Sequence, residues 1–227
     1  MENQGLEMTE SRGLQGNSKR SKSAETWKVG AARPQHNRSR LKNDQLRGRK
    51  HITPDELKTI CGTIKQRSRH PDRDELMTLM AFHHGLRVGE LVALQWQHIN
   101  LKNRQVKVTR LKNGIPSTHP ITSRREITLL NRLHKAAGKP KTGFLFNTER
   151  GTPVSANGFQ KLFSAASEQA LGIKWNVHAL RHGCGTELVE QGQHLHTIKE
   201  YMGHVNIANT ALYLHDSAKR FQGIQWD

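Results

Sequence analysis

Cysteine is scarce in this sequence, which has only Cys61 and Cys184 among its 227 residues. Two thiols exclude a multi-disulfide framework and a cysteine-based metal cluster. The sequence also lacks an apolar run long enough to cross a membrane, and it lacks the apolar core of a signal peptide. We therefore expect a cytoplasmic protein whose thiols stay reduced.

Acidic residues are also few, since 19 Asp and Glu residues stand against 36 Lys and Arg residues. The formal net charge is +17 and the isoelectric point is about 10.4, in the range typical of nucleic-acid-binding domains. Basic proteins also bind anionic membranes, but this sequence carries no membrane signal. The charge therefore favours a nucleic-acid partner.

The first part of the chain is basic and poor in apolar side chains. Residues 1–50 contain twelve basic and five acidic residues among many Ser, Asn, Gln and Gly residues. Such a composition cannot bury enough apolar surface to offset the entropy lost on ordering. We expect a flexible basic arm that tethers the protein to nucleic acid, and a solubilising leader is the alternative.

From residue 51 onward, the pattern predicts a series of helices. The stretch TPDE combines Thr53 as N-cap, Pro54 in the first turn and Glu56 as the capping-box partner, which predicts a helix start. Apolar residues then recur at helical spacing. Further helices are expected at about 72–84, from about Val88, and at about 123–137, 155–171, 178–191, 194–202 and 207–216.

One region changes from the helical period to a period of two. The stretches QVKVTRL (105–111) and IPSTHPI (115–121) alternate in polarity and flank Asn113-Gly114, a strong signal for a hairpin with a type I′ turn. Lys112 lies beside that turn, where a lysine is ordinary when considered alone. A small antiparallel sheet among many helices indicates an α+β, mostly helical fold class.

The stretch HALRHGCG, which starts at His178, crowds basic groups into one helical turn. His178 and Arg181 are separated by three residues and share a helix face. His178 and His182 have a spacing that can hold a metal, with His204 as a third ligand. Arg181 stands in the same helical turn, and its guanidinium group would repel a divalent cation. We therefore favour a phosphate-handling site over a metal site.

Five separated motifs occur in an order that resembles the signature of the tyrosine recombinases, the phage-integrase family. The motifs are GLRVGEL, LKNG, HALRHGCG, YMGH and NTALYLH. The stretch RLKNGIPSTHPI and the closing RFQGIQWD are most similar to short bacterial site-specific invertases of the fimbrial-switch type. The resemblance implies a tyrosine-recombinase catalytic domain over residues 51–227, without the core-binding domain that usually precedes it.

The resemblance also implies a reaction, in which DNA strands are cleaved and rejoined through a 3′-phosphotyrosyl intermediate, by inversion or by integration and excision. The implied catalytic residues are Arg87, Lys112, His178, Arg181, His204 and Tyr213, with Tyr213 as the nucleophile. Two guanidinium groups can clamp phosphate oxygens with bidentate hydrogen bonds. His178 suits transfer of the phenol proton, Lys112 protonation of the leaving 5′ oxygen, and His204 a hydrogen bond to the phosphate. Arginine and lysine supply the charge, so no metal or other cofactor is required.

Double-stranded DNA is the implied partner, and we expect a nucleoid-associated protein that forms a homo-tetramer on paired sites. The tail RFQGIQWD carries Phe221, Ile224 and Trp226 but is too short to form a core. Large apolar residues at a chain end usually dock on a surface. Docking on a neighbouring protomer is expected, and docking on the tail's own domain is the alternative.

Two other functions fit the same sequence less well. An inactive DNA-binding protein of this fold would have lost a catalytic residue type, and all six types are present. A type IB topoisomerase uses similar chemistry, but the motifs resemble recombinases more closely. Tyr201, the other tyrosine of the chain, is interpreted with Ile198 and Met202 as part of a core-facing helix.

Overall fold

The computed structural model describes residues 49–111 and 114–214, and its first helix begins at the predicted capping box. Helix α1 spans Pro54–Arg67. The Glu56 N–H donates to Thr53 Oγ1 at 3.3 Å, and the Thr53 N–H donates to Glu56 Oε2 at 3.0 Å. These reciprocal bonds satisfy two amide groups that the start of a helix would otherwise leave unpaired.

The following helices lie close to their predicted spans. They are α2 (Pro71–His83), α3 (Val88–Val92), α4 (Arg124–Ala136), α5 (Ala156–Leu171), α6 (His178–Glu190) and α7 (Leu195–Met202). The predicted helix over residues 207–216 is divided, because α8 covers Ala208–Ala211 and a 3-10 turn follows over Leu212–Leu214.

The predicted hairpin forms two strands of a three-stranded antiparallel sheet. The strands are β1 (Ile99–Asn100), β2 (Gln105–Val108) and β3 (Ser117–Pro120), in the order β1-β2-β3. In the register of β2 and β3, Val106 lies opposite His119 and Val108 lies opposite Ser117. The fold class is therefore α+β and mostly helical, as predicted, although β1 was not predicted.

Helix α2 is the centre of the core because it is buried on nearly all sides. Leu76, Met77 and Met80 have no exposed surface. A helix that is apolar all round must be covered by other elements, and α2 packs against α1, α4 and α6. This packing places the C-terminal end of α2 beside the first turn of α6. The arginine of GLRVGEL therefore lies near HALRHGCG, although about 90 residues separate the two motifs.

The predicted basic arm and the tail RFQGIQWD fall on residues that lie outside the described ones, except for Arg49 and Lys50. The predicted tethering by the arm and the predicted docking of the tail therefore stay predictions. Within the two described ranges, no helix combines the length and the apolar character that a bilayer-crossing segment needs.

Candidate active site

Arg87 stands at the start of α3, where one carboxylate holds it. Its Nη1 donates to Glu90 Oε1 at 2.8 Å, and its backbone N–H donates to Glu90 Oε2 at 3.0 Å. The side chain of Arg87 keeps 32% of its surface exposed, whereas that of Glu90 keeps 1%. The guanidinium is thus oriented by a buried partner and still accessible to an anion.

Arg181 lies one turn into α6 and is almost fully buried, with 1% of its surface exposed. Its guanidinium donates to the carbonyl oxygens of Gly85 and Met202, the latter at 2.7 Å. Arg181 therefore joins the loop before Arg87 to the end of α7. Burial, together with the charges of Arg87 and Arg110, lowers the pKa of Arg181 to about 10. The group remains charged at neutral pH.

His204 follows Gly203, which ends α7 in the left-handed conformation at φ 64°. The imidazole is buried, and its Nδ1 lies 2.9 Å from Thr210 Oγ1. Burial lowers the pKa of His204 to about 4, and the charges of Arg181 and Arg87 act in the same direction. His204 is therefore neutral at pH 7, and Nε2 is the ring nitrogen that does not contact Thr210.

Tyr213 lies in the 3-10 turn after α8 and is buried, with its ring against α6. Its ring centroid is 6.2 Å from that of His204, with 18° between the ring planes, and 5.7 Å from that of His182. A Cβ atom at Gly185 would lie 2.4 Å from the Tyr213 ring, so this position of α6 has no room for a side chain. Burial raises the pKa of Tyr213 to about 12, although the charge of Arg181 opposes the shift.

His178 begins α6 and is exposed, and a chain of ring contacts leads from it to Tyr213. The His178 ring centroid is 4.6 Å from that of His182, and the His182 ring contacts Tyr213 edge to face. His182 therefore packs directly against the tyrosine. In the described part of the chain, no three His, Cys, Asp or Glu side chains form a group that could hold a metal ion.

Five of the six predicted residues come together in one region. Although His178 is exposed, its ring is partly desolvated by the surrounding residues, which lowers its pKa, and the charges of Arg181 and Arg87 lower it further. The same two charges also act on the pKa values of His204 and Tyr213. The sixth residue, Lys112, lies outside the described residues, so its role stays a prediction.

Tyr201 occupies a structural position instead of a reactive one. Its hydroxyl donates to the carbonyl oxygen of His83 at 2.9 Å, and its ring stacks on His119 with centroids 3.8 Å apart. Burial raises the pKa of Tyr201 well above its usual value, and the charges of Cys184 and Glu126 add to the effect. This arrangement agrees with the interpretation of Tyr201 as part of a core-facing helix.

Two residues that organise the site were missed by the sequence analysis. They are Glu90, which binds both Arg87 and Arg110, and Arg110 itself, whose side chain has no exposed surface. Burial acts to raise the pKa of Glu90, but the hydrogen bonds from Arg87 and the charge of Arg110 lower it overall. A signal was available for Arg110, because the period of two puts it on the same face as the buried Val106 and Val108.

The chain is similar in sequence to several known proteins. The model of the phage integrase family matches residues 50–220. The type 1 fimbriae regulatory protein FimB of Escherichia coli K12 is 32% identical over 182 residues, covering 79% of this chain and 90% of FimB. Tyrosine recombinase XerC of Pseudomonas entomophila is 30% identical over 145 residues, covering 63% of this chain and 48% of XerC.

A solved structure shows the same fold. The crystal structure of XerA recombinase matches with a TM-score of 0.65 at 19% identity, over 76% of this chain and 61% of the XerA chain. The chain thus spans about half the length of XerC and three fifths of the XerA chain. The family match extends over most of the sequence, and the arginines, histidines and tyrosine described above lie within the matched range. The chain therefore belongs to the phage integrase family and is a tyrosine-type site-specific recombinase that cleaves and rejoins DNA through a 3′-phosphotyrosyl intermediate.

Proposed function

We propose that Tyr213 is the nucleophile of this recombinase and that Arg87 and Arg181 bind the scissile phosphate. The observation that carries the proposal is the convergence of both arginine charges on one buried tyrosine, with His204 beside its ring. Attack on a phosphodiester builds negative charge on nonbridging oxygens that already carry one. Two fixed guanidinium groups stabilise that charge, because each can donate two hydrogen bonds to the phosphate oxygens.

Cleavage and rejoining need no external energy source, because each step forms one bond to the phosphorus and breaks one. The Tyr213 oxygen forms a bond to the phosphorus, and the bond between the phosphorus and the 5′ oxygen of the next nucleotide breaks. The phosphotyrosyl link keeps the energy of the broken phosphodiester, so the reverse attack by a 5′ hydroxyl rejoins a strand and releases Tyr213.

Two proton transfers accompany cleavage. The pKa of Tyr213 is raised by burial to about 12, so the phenol is protonated at neutral pH and needs an acceptor. His178 is assigned this task, because partial desolvation and the nearby arginines lower its pKa and keep it neutral and able to accept a proton. Lys112 is assigned the protonation of the leaving 5′ oxygen, on the strength of the family motif alone.

The test of the proposed function is rearrangement of DNA. The purified protein is mixed with supercoiled plasmids that carry the DNA flanking its own gene, and any new junctions are sequenced. We expect junctions at a short repeated sequence, with inversion or excision set by the orientation of the repeats. Relaxation of supercoils without new junctions would point to a topoisomerase instead, and binding without relaxation or junctions would point to an inactive DNA-binding protein.

Gly185→Ala should reduce strand cleavage, since the added methyl group would occupy the space of the Tyr213 ring. Gly62→Ala in α1 is the matched control, because a Cβ atom there has no neighbour within 4 Å. Both changes raise intrinsic helix propensity by about 1 kcal/mol, so the comparison isolates displacement of the tyrosine. Single-turnover cleavage of a nicked substrate should slow by at least about tenfold for Gly185→Ala only. Equal rates for the two variants would show that the position of this ring does not limit cleavage.

Deletion of residues 1–48 should weaken DNA binding and flatten its dependence on salt. The deletion removes ten basic residues and keeps Arg49, which pairs with Glu56. Each contact between a basic residue and a phosphate releases a condensed counterion, so the slope of log K against log salt should become less negative. Titrations at several salt concentrations measure this slope, and cleavage of substrate that is already bound should change little. An unchanged slope would mean that the arm is only a solubilising leader.

We further propose that four copies of the chain assemble on two paired DNA sites. Exchange of strands between two duplexes requires four cleavages, and each copy supplies one nucleophile. Val205 and Leu212, on either side of α8, are 61% and 59% exposed, which offers an apolar surface next to Tyr213. The tail RFQGIQWD carries further large apolar residues that could cover this surface on a neighbouring protomer.

A further inference from the structure

Arg110 is the most deeply buried cation among the described residues that pair with a carboxylate, since its side chain has no exposed surface. It follows β2 on the face that carries the buried Val106 and Val108. Arginine is almost never fully buried unless it is paired, because removing its charge from water costs several kcal/mol. Such burial indicates that the guanidinium has a defined set of partners.

The partners of Arg110 belong to three different parts of the active site. Its Nη1 donates to Glu90 Oε2 at 3.0 Å and lies 3.4 Å from the carbonyl oxygen of Gly85. Its Nη2 lies 3.4 Å from the carbonyl oxygen of His84 and also donates to the carbonyl oxygen of Tyr201. One side chain thus connects the base of the hairpin with the loop before α3, with α3 itself and with the end of α7.

Two of these partners are shared with the residues proposed to bind the phosphate. Glu90 accepts from Arg87 on Oε1 and from Arg110 on Oε2, so Arg110 helps to fix the carboxylate that orients Arg87, together with the N–H groups of Arg87 and Leu111. The carbonyl oxygen of Gly85 accepts from Arg181 as well as from Arg110. A change at Arg110 would therefore reach both phosphate-binding arginines without touching the substrate.

Two glycines of the sequence motifs make room for Arg110. A Cβ atom at Gly203 of YMGH would lie 2.6 Å from Arg110 Nε, and one at Gly114 of LKNG would lie 2.7 Å from Arg110 Cβ. Gly203 also has a φ of 64°, a backbone conformation that side chains rarely adopt. The turn that leads to His204 is thus shaped around the arginine side chain.

We propose that Arg110 is a positioning residue, which holds Glu90, the Gly85 loop and the YMGH turn in the arrangement that cleavage needs. The inference rests on the proposed roles of Arg87 and Arg181. Lysine at position 110 keeps the charge beside Glu90, but a single ammonium group cannot replace a planar fork that reaches several acceptors.

The test uses Arg110→Lys in the full-length protein, with Arg73→Lys as the matched control. Arg73 also pairs with a buried carboxylate, that of Asp74 at 2.8 Å, but it lies at the opposite end of α2. We expect Arg110→Lys to slow single-turnover cleavage by at least about tenfold, whereas its DNA affinity stays within about twofold of the wild type. Arg73→Lys should cleave at the wild-type rate, and thermal melts establish that both variants are folded.

A second substrate separates positioning of the arginines from a general loss of structure. The scissile phosphate is replaced by a methylphosphonate, which lacks the charge that the two arginines neutralise. If Arg110 acts through Arg87 and Arg181, the defect of Arg110→Lys should shrink at least about threefold on this neutral substrate. A defect of equal size on both substrates, or no defect on either, would overturn the inference. If the wild type itself fails to cleave the charged substrate, the proposed function fails instead.

Discussion

Tyr213→Phe should abolish covalent protein–DNA adducts on a nicked substrate while DNA affinity stays within about twofold of the wild type. The substitution removes one oxygen and keeps the ring that packs against Gly185 and contacts His182 and His204. No hydrogen bond within the described residues depends on that oxygen. Denaturing gels that separate free protein from protein–DNA adducts measure the first result, and gel shifts measure the second.

Tyr201→Phe is the matched control, because the chain has only two tyrosines. The Tyr201 hydroxyl donates to the carbonyl oxygen of His83, so its loss costs about 1 kcal/mol of folding stability and no nucleophile. Adducts should form with Tyr201→Phe at near wild-type yield. Loss of adducts in this variant with folding preserved, or normal yield in Tyr213→Phe, would reverse the assignment of the nucleophile.

Arg181→Ala should slow cleavage by about 10²- to 10³-fold, the range found when a preorganised donor to a developing anion is removed. Arg181→Lys should recover little of this loss, because the guanidinium spans two carbonyl oxygens, those of Gly85 and Met202, in addition to its proposed contact with the phosphate. Single-turnover rates on bound substrate measure the effect without interference from DNA affinity. A lysine variant that cleaves within twofold of the wild type would remove the argument for a bidentate clamp.

Arg181 also contributes to folding, so the alanine variant is expected to lose stability as well as activity. Its removal takes the side-chain donor from the buried carbonyl oxygen of Met202, at a cost of about 1–3 kcal/mol, whereas the carbonyl oxygen of Gly85 keeps Arg110. The lysine variant retains a charge and part of the hydrogen bonding, so it is the cleaner test of chemistry. Thermal melts of both variants show how much of the lost activity reflects unfolding.

The local parts of the fold could be predicted from the sequence because their causes are local. Thr53 and Glu56 form the capping box that the spacing TPDE indicates. The period of two over residues 105–111 and 115–121 predicted the hairpin, which forms β2 and β3. Strand β1 was missed because two residues are too few to show any periodicity, and only its pairing with β2 defines it.

In the candidate site, too, some residues could be identified from sequence motifs and others only from tertiary packing. The grouping of Arg87, Arg181 and Tyr213 in one region could be predicted because their motifs resemble a known family, and their catalytic roles stay predictions. The proposed positioning role of Arg110 could not be predicted from the sequence. It depends on hydrogen bonds to the carbonyl oxygens of His84, Gly85 and Tyr201, which only tertiary packing brings together. The contact between His182 and Tyr213 likewise joins residues 31 positions apart, and no spacing rule within one helix predicts it.

The central claim is that this chain joins itself to DNA through Tyr213, and the chemical identity of the link tests it most directly. Tagged protein is isolated from cells under denaturing conditions, the attached DNA is trimmed with nuclease, and the modified peptide is sequenced by mass spectrometry. We expect a nucleotide joined through its 3′ phosphate to Tyr213, in the peptide that contains NTALYLH. A link to Tyr201, a link through a 5′ phosphate, or the absence of any nucleotide on the protein after recombination would contradict the account.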